Sequence, residues 1–322
     1  MRLSLLPLLY CPSCKRKLHL NLKTTHRRGP QIISGSLDCS ARHQWPIVGG
    51  IPEFVNNLSN DKKKTSQRFG EQWLKLSTYT QDDQKQLLNW LYPVKPSFFG
   101  KKVVLDAGCG SGRHLLVTSA FKPKMLIGID LSRAVEQAYA VTQHNPRIHI
   151  IQADIANLPF KRPFDFIYSV GVLHHLPNPK VGFQSLVGHL KPKGSISVWV
   201  YGKEGNEIIE KFVNPVRKLV TSRLPMKLLA LISIPPAIIV FIIARLAPFL
   251  PDKLPLYKYF TSLQKYSLKK IFLIVYDHLN APTAFYLSQD QVRDFVKGAK
   301  IAQTIISHRL GNGWNLLMQK PS

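Results

Sequence analysis

The chain has 322 residues, 45% hydrophobic and 19% charged, and its 44 Lys and Arg against 18 Asp and Glu give a net charge of +26. That length suggests about two domains, and the composition excludes a wholly disordered or collagen-like chain. The charge excess predicts attraction to nucleic acid, anionic lipid or an acidic ligand, and says nothing about fold. It is spread out, net +8 over 1–64, +8 over 65–202, +7 over 203–280 and +3 over 281–322, and without a dedicated basic tail a purely electrostatic nucleic-acid reading is weakened.

The first apolar stretch, MRLSLLPLLY, is short and lacks a small-residue cleavage site, so no signal peptide is expected and a reducing, cytoplasmic location is the default. Cys11-Pro12-Ser13-Cys14 forms a knuckle, and Cys39 and His43 follow with C-x3-H spacing. Three thiolates and an imidazole are a closed tetrahedral zinc set; the alternative is buried thiols and a surface histidine. The apolar runs Leu18–Leu22 and Ile32–Leu37 are expected to form a hairpin that returns Cys39 to the knuckle. The stretch CPSCKRKL…CSARHQWPIVGGIPEF resembles small Trm112-like zinc modules and the N-terminal zinc domain of the bacterial 23S rRNA guanine-N1 methyltransferase. The resemblance covers about the first 55 residues and implies a structural zinc on Cys11, Cys14, Cys39 and His43, without fixing a substrate.

Residues 56–67 (NNLSNDKKKTSQ) read as a linker, after which Phe69, Trp73 and Leu76 recur on one helical face and QDDQKQLLNWLY forms a second helix ending before Pro93. Trp73 is a candidate for either plain packing or cofactor contact.

From Lys101 the pattern alternates. VVLDAGCGSGRHLL is a buried strand, a glycine turn and a helix, with Gly108, Gly110 and Gly112 spaced as GxGxG and Asp106 at the strand end. Strands ending in Asp130 and Asp154 follow, then FDFIYSVGVLHHL, a helix over 179–190 and SISVWVYG. Such alternation means a parallel sheet with ligand at the strand carboxyl ends. VLDAGCGSG, IGIDLS, ADIANLPF, FDFIYSVGVLHHL and LKPKGSISVWVYG resemble the successive motifs of class I S-adenosylmethionine-dependent methyltransferases of the type 11 group, over 101–202 and again over 288–320. The resemblance implies an α/β, Rossmann-like seven-stranded sheet. It implies that Asp106, Gly108 and Gly110 line the methionine end of S-adenosylmethionine, with Gly112 also binding the cofactor. Asp130 holds the ribose hydroxyls, Leu131 and Ile155 flank the adenine, Asp154 accepts from its amino group, and Ser169 faces the sulfonium region.

SQDQVRDFVKGAKIAQTIISHRLGNGWNLLMQK reads as a helix capped by Ser288, then a strand, a turn and an antiparallel last strand. His174 and His175 are candidate bases, although the motif that holds them is usually structural in the family it resembles, and methyl transfer from a sulfonium relies mainly on positioning. His278, before the last helix, is the first choice of base if a hydroxyl is methylated. Nothing after the fourth strand resembles the Asn/Asp-Pro-Pro-aromatic motif of exocyclic-amine methylation, which argues against adenine-N6 chemistry.

Residues 203–280 exceed any normal strand-to-helix connection. Within them, 228–244 is seventeen residues without charge between Lys227 and Arg245, short of a comfortable span, with Pro235-Pro236 expected to split it into two halves. A helical lid over the substrate pocket, contact with one leaflet of an anionic membrane, and a true span all remain open, and Tyr257, Tyr259 and Phe260 suit a lipid interface. The expected organisation is a zinc module over 1–57, a methyltransferase domain over 65–202 and 281–322, and the insertion over 203–280. Because the insertion is the unusual feature, the expected acceptor is a small molecule or lipid-like, with rRNA or tRNA base methylation as the alternative.

Overall fold

The computed structural model describes residues 1–322 apart from 77, 78, 80, 81, 254, 255 and 299. Five short strands open the chain: β1 (His19–Leu20), β2 (His26–Arg28), β3 (Gln31–Asp38), β4 (Gln44–Val48) and β5 (Ile51–Phe54). β1 pairs antiparallel with β3, placing His19 opposite Asp38, which brings Cys39 back beside the knuckle. Along β4, exposed and buried residues alternate, as a strand with one solvated face requires.

Two helices follow, α1 (Asn60–Leu76) and α2 (Asp82–Trp90). The expected linker is therefore wrong from residue 60 onward. Ser59 accepts the first helical hydrogen bond, from Lys63 N–H at 2.9 Å, Asp61 sits in the positively polarised first turn, and of the lysines Lys63 and Lys64 face solvent while Lys62 pairs with Asp154. The Leu76 side chain and Gln81, both in expected helices, lie outside what is described.

The core then alternates: β6 (Val103–Ala107), α3 (Arg113–Ser119), β7 (Met125–Asp130), α4 (Ala134–Thr142), β8 (Ile148–Ala153), β9 (Phe164–Val170), α5 (Pro179–Gly188) and β10 (Leu190–Tyr201). The insertion contributes α6 (Asn214–Leu219), α7 (Met226–Leu246), α8 (Tyr257–Leu263) and α9 (Leu268–Asn280), and the chain ends in α10 (Gln289–Asp294), β11 (Gln303–Arg309) and β12 (Gly313–Gln319). Seven strands form a Rossmann-like sheet in the order β8-β7-β6-β9-β10-β12-β11. The first five run parallel and are apolar along their length because both faces are covered. β12 lies antiparallel between β10 and β11.

The N-terminal strands extend this sheet, since β5 pairs in parallel with β8, Phe54 opposite Ala153. Leu5, Leu9 and Phe54 share one core with Leu158 and Phe160 of the connection between β8 and β9. Pro235-Pro236 does not split the apolar run: α7 continues unbroken across it. The N–H groups lost at Pro235 and Pro236 leave the carbonyls of Leu231 and Ile232 without helical partners, and both residues are on the exposed face, where those oxygens stay hydrated. α7 packs along α9, and the small core they share with α8, of Ala244, Leu263 and Ile271, is separate from that of the sheet.

Candidate functional site

The site is a cleft of about 270 Å³ at the carboxyl ends of β6, β7 and β9, floored by the glycine turn and walled by α1, α8 and α9. The floor follows from local chemistry. Gly108 has φ +94°, and a Cβ there would stand 2.3 Å from Val172 Cγ2, so only glycine fits. The Gly110 N–H donates to Asp130 Oδ2 at 2.9 Å, while Ser132 N–H and Oγ donate to Oδ1 at 2.8 and 2.7 Å. Asp130 thus ties the turn after β6 to the end of β7, and burial still pushes its carboxyl above the usual range.

Asp106 lies beneath the turn. Burial raises its carboxyl to about 8, against the opposing hydrogen bond from Tyr168, and its Oδ2 has no partner among the described residues. Asp106 does not itself border the cleft, and the N–H groups of Gly108, Cys109 and Gly110 above it donate to Ile129 O and Asp130 Oδ2. Gly112 caps α3 with φ +85° and packs on Ala138; it shapes the turn and does not border the cleft.

Leu131, Asp154 and Ile155 border the cleft. Asp154 is already engaged: Oδ1 accepts from Ala156 N–H at 2.9 Å and Oδ2 pairs with Lys62 at 2.5 Å. Ser169 is corrected. It is fully buried and its hydroxyl donates to the Ala107 carbonyl at 2.8 Å, because alternate residues of β9 face opposite sides of the sheet; Val170, Gly171 and Val172 border the cleft instead.

The three histidines divide. His174 is fully buried, accepts from Tyr201 N–H through Nδ1 at 3.3 Å and stacks on the Tyr201 ring at 3.9 Å. It does not border the cleft, so it is no candidate base. His175 and His278 do border it. Each donates from Nδ1 to a backbone carbonyl, Thr283 at 2.6 Å and Ile274 at 2.9 Å, which assigns the proton to Nδ1 and leaves Nε2 as an acceptor. Burial pulls His175 down to about 4, partly opposed by Asp277, and lowers His278 as well. Both are neutral near pH 7.

Several wall residues escaped the sequence reading. Gln72 donates to Asp277 Oδ1 at 2.7 Å and accepts from Asn280 at 2.7 Å. Asp83, with its side chain fully buried, holds Arg113 at 3.2 Å and Lys270 at 2.8 Å, both cations bordering the cleft. Arg113 had a signal, since it directly follows the glycine turn; Asp83 and Lys270, 187 residues apart, had none. Trp73 borders the cleft, its ring 3.6 Å from where a Cβ on Gly110 would be.

At the N-terminus the ligand atoms of Cys11, Cys14, Cys39 and His43 all lie within 4.8 Å of one another. Cys11 Sγ to His43 Nδ1 is 3.6 Å, Cys14 Sγ to Cys39 Sγ 3.6 Å and Cys39 Sγ to His43 Nδ1 3.5 Å. Tetrahedral bonds of about 2.3 Å to sulfur and about 2.0 Å to nitrogen require edges of about 3.5–3.8 Å.

Residues 104–194 match a family model described as a methyltransferase domain. A tRNA U34 carboxymethyltransferase of Pseudoalteromonas atlantica is 36% identical over 109 residues, 33% of this chain and 34% of that protein. One of Aeromonas hydrophila is 34% identical over 182 residues, 52% of this chain and 53% of that protein. The chain thus spans about half or less of the length of these two curated relatives. A solved S-adenosylmethionine dependent methyltransferase from Mesorhizobium loti is 25% identical, with a TM-score of 0.30, over 32% of this chain and 48% of that one. The expected small or lipid-like acceptor is overturned by these comparisons, because the curated relatives are named for a tRNA substrate. A greasy insertion suggested the wrong class: it walls the cleft with α8 and α9, while its most apolar helix, α7, lies outside them.

Proposed function

We propose that this chain, whose residues 104–194 match a methyltransferase domain, transfers a methyl group from S-adenosylmethionine to a base of tRNA in the cytoplasm. The observation that carries the reading is the likeness to proteins named tRNA U34 carboxymethyltransferase, reaching 52% of this chain in one of them. An open cleft with aromatic walls (Phe69, Trp73, Tyr201, Tyr259) supports it, since an unstacked base packs on such rings and reads polar edges beside them.

S-adenosylmethionine supplies an electrophilic methyl group, and the chain's own residues orient it. Asp130 accepts from the ribose hydroxyls in exchange for its bonds to Ser132 and Gly110. Gly108 and Gly110 let the backbone approach the methionine end, above the unpaired Asp106 oxygen. Leu131 and Ile155 flank the adenine, and Asp154, held by Lys62, accepts from its amino group. An acceptor that must lose a proton gives it to the Nε2 of His278 or His175. The 65–202 and 281–322 segments form this unit, the 203–280 insertion walls it, and 1–57 is a Trm112-like module. Cys11, Cys14, Cys39 and His43 hold one structural zinc, supported by three of the six ligand-to-ligand edges at 3.5–3.6 Å.

A second reading rests on Arg113 and Lys270, which border the cleft and share the Asp83 carboxylate. Two cationic donors bordering the cleft suit a carboxylate on the transferred group, so that a carboxymethyl rather than a methyl group moves. Methyl-labelled S-adenosylmethionine incubated with the protein and separate tRNA, rRNA and lipid fractions tests the proposal. Label in tRNA alone is expected, and label in rRNA or lipid instead would refute it. The mass of the modified nucleoside, with a carboxymethylated donor supplied in parallel, separates the two readings.

A further inference from the structure

Among the described residues, Met226–Phe249 is the one segment long and apolar enough to cross a membrane, its most apolar 18 residues having a mean hydropathy of 2.4. Its packing is reversed from that of a water-facing helix. The buried positions are Leu229, Ser233, Ala237, Ala244 and Ala247, four of the five small. The exposed positions carry the bulk: Leu231 is 64% exposed, Ile239 57%, Ile242 50% and Phe249 85%. A helix facing water turns its large apolar residues inward and its polar ones outward. Small residues against the neighbouring helix and large ones outward is the arrangement of helices in contact with lipid.

Charge identifies the surface this face fits. From Lys211 to Pro251 the chain contains no Asp or Glu, and Lys211, Lys218, Arg223, Lys227 and Arg245 are exposed. Phe212, 62% exposed, joins them near the start of the segment as Phe249 does near its end. We propose that α7 docks the protein flat on an anionic bilayer, its apolar face at the level of the upper acyl chains and its flanking cations among the headgroups. Lipid is here a surface and not the methyl acceptor, so the inference is independent of the substrate.

Flat docking is preferred over spanning for two reasons. The carbonyls of Leu231 and Ile232, freed by Pro235 and Pro236, would be unsatisfied in hydrocarbon, and at the interface they reach water. In addition, α7 lies along α9, which carries Lys270, Asp277 and His278 in the cleft wall, and a spanning α7 would draw those groups into the bilayer.

Flotation of the full chain tests this, with vesicles of phosphatidylcholine alone and of equal parts phosphatidylcholine and phosphatidylglycerol. The protein is expected to float with the anionic vesicles only and to be released by high salt or carbonate. Ile238→Asp with Ile242→Asp, on the exposed face, and Lys227→Glu with Arg245→Glu should each reduce the floated fraction about tenfold or more. The thermal shift produced by S-adenosylmethionine should stay as in the parent, which excludes unfolding as the cause. No flotation with either vesicle overturns the proposal. So does a dimer in sedimentation that the Ile238→Asp, Ile242→Asp variant turns into a monomer, since the face would then be a subunit interface. Resistance to carbonate overturns it in favour of a span.

Discussion

The floor and the wall of the cleft are built by opposite means. In the floor, partners are near in sequence: Gly110 and Asp130 are 20 residues apart and Asp130 and Ser132 two. In the wall, Gln72 meets Asp277 across 205 residues, Gln72 meets Asn280 across 208 and Asp83 meets Lys270 across 187. A floor of local turns is the same object wherever its motif occurs, which suits a common cofactor. A wall assembled from distant helices is free to change with the acceptor, and the sheet beneath it need not move.

Asp83 is where the two meet, because its carboxylate on α2 holds Arg113 of the floor and Lys270 of the wall. Removing one partner of a buried ionic cluster leaves uncompensated charge, so Asp83→Ala is expected to lower stability by about 3–5 kcal/mol in urea unfolding. A loss below about 1 kcal/mol would mean that wall and floor are held independently. Gly108→Ala is the next largest effect. The new Cβ meets Val172 on a backbone with φ +94°, which costs about 1–3 kcal/mol. It should also abolish the thermal shift given by S-adenosylmethionine, as should Asp130→Ala, whose fold is expected to persist. Retention of that shift in both variants would break the assignment of the floor to the cofactor.

Acid should loosen the wall. His175 is held neutral in the folded protein down to about 4 by burial, and His149 in β8 likewise. Their unfolded pKa is about 6.5, so between that value and 4 the unfolded state binds more protons than the native state. Each such histidine's contribution is therefore full above about pH 6.5 and falls as pH drops toward 4, by up to about 1.4 kcal/mol per pH unit. His114, His174 and His278, also lowered by burial, add to this slope, and Asp106, raised to about 8, opposes it. Unfolding midpoints of the parent and of His175→Gln across that range isolate the His175 share: the variant should lose less stability toward pH 4 than the parent, and equal slopes in both would show that His175 is hydrated in solution and that the wall is more open than its packing.

What could be read from the sequence follows the same division. Asp106, Asp130, Asp154 and the glycines stand at strand ends that hydrophobic runs mark plainly, and the Cys/His spacing carries its own geometry. Ser169 was misplaced by its position one residue before the cleft-facing stretch, since a strand turns neighbours to opposite faces. Lys62 was lost because NDKKKTSQ has the composition of a linker, and only tertiary contact makes its lysine a partner of Asp154. The role of α7 could not be read because an apolar run looks alike whether it covers a pocket, packs in a core or faces lipid. The difference lies in which positions α9 covers.

The smallest expected effect concerns that lysine. The Lys62–Asp154 pair is partly exposed, the side chains 24% and 15% accessible, so its loss should cost less than about 1 kcal/mol of stability. Its effect on the cofactor is the sharper measurement. A carboxylate has about four acceptor positions, so Asp154 has room to receive an adenine amino group while it keeps Lys62 and the Ala156 N–H. Asp154→Ala removes a charge-assisted acceptor and should weaken S-adenosylmethionine binding about tenfold or more. Lys62→Ala removes only the group that steadies Asp154 and should weaken it about twofold, both measured by calorimetry. If the two variants lose equal affinity, Lys62 itself touches the cofactor. The floor is then not local, and α1, which walls the cleft through Phe69 and Trp73, is part of the cofactor site as well.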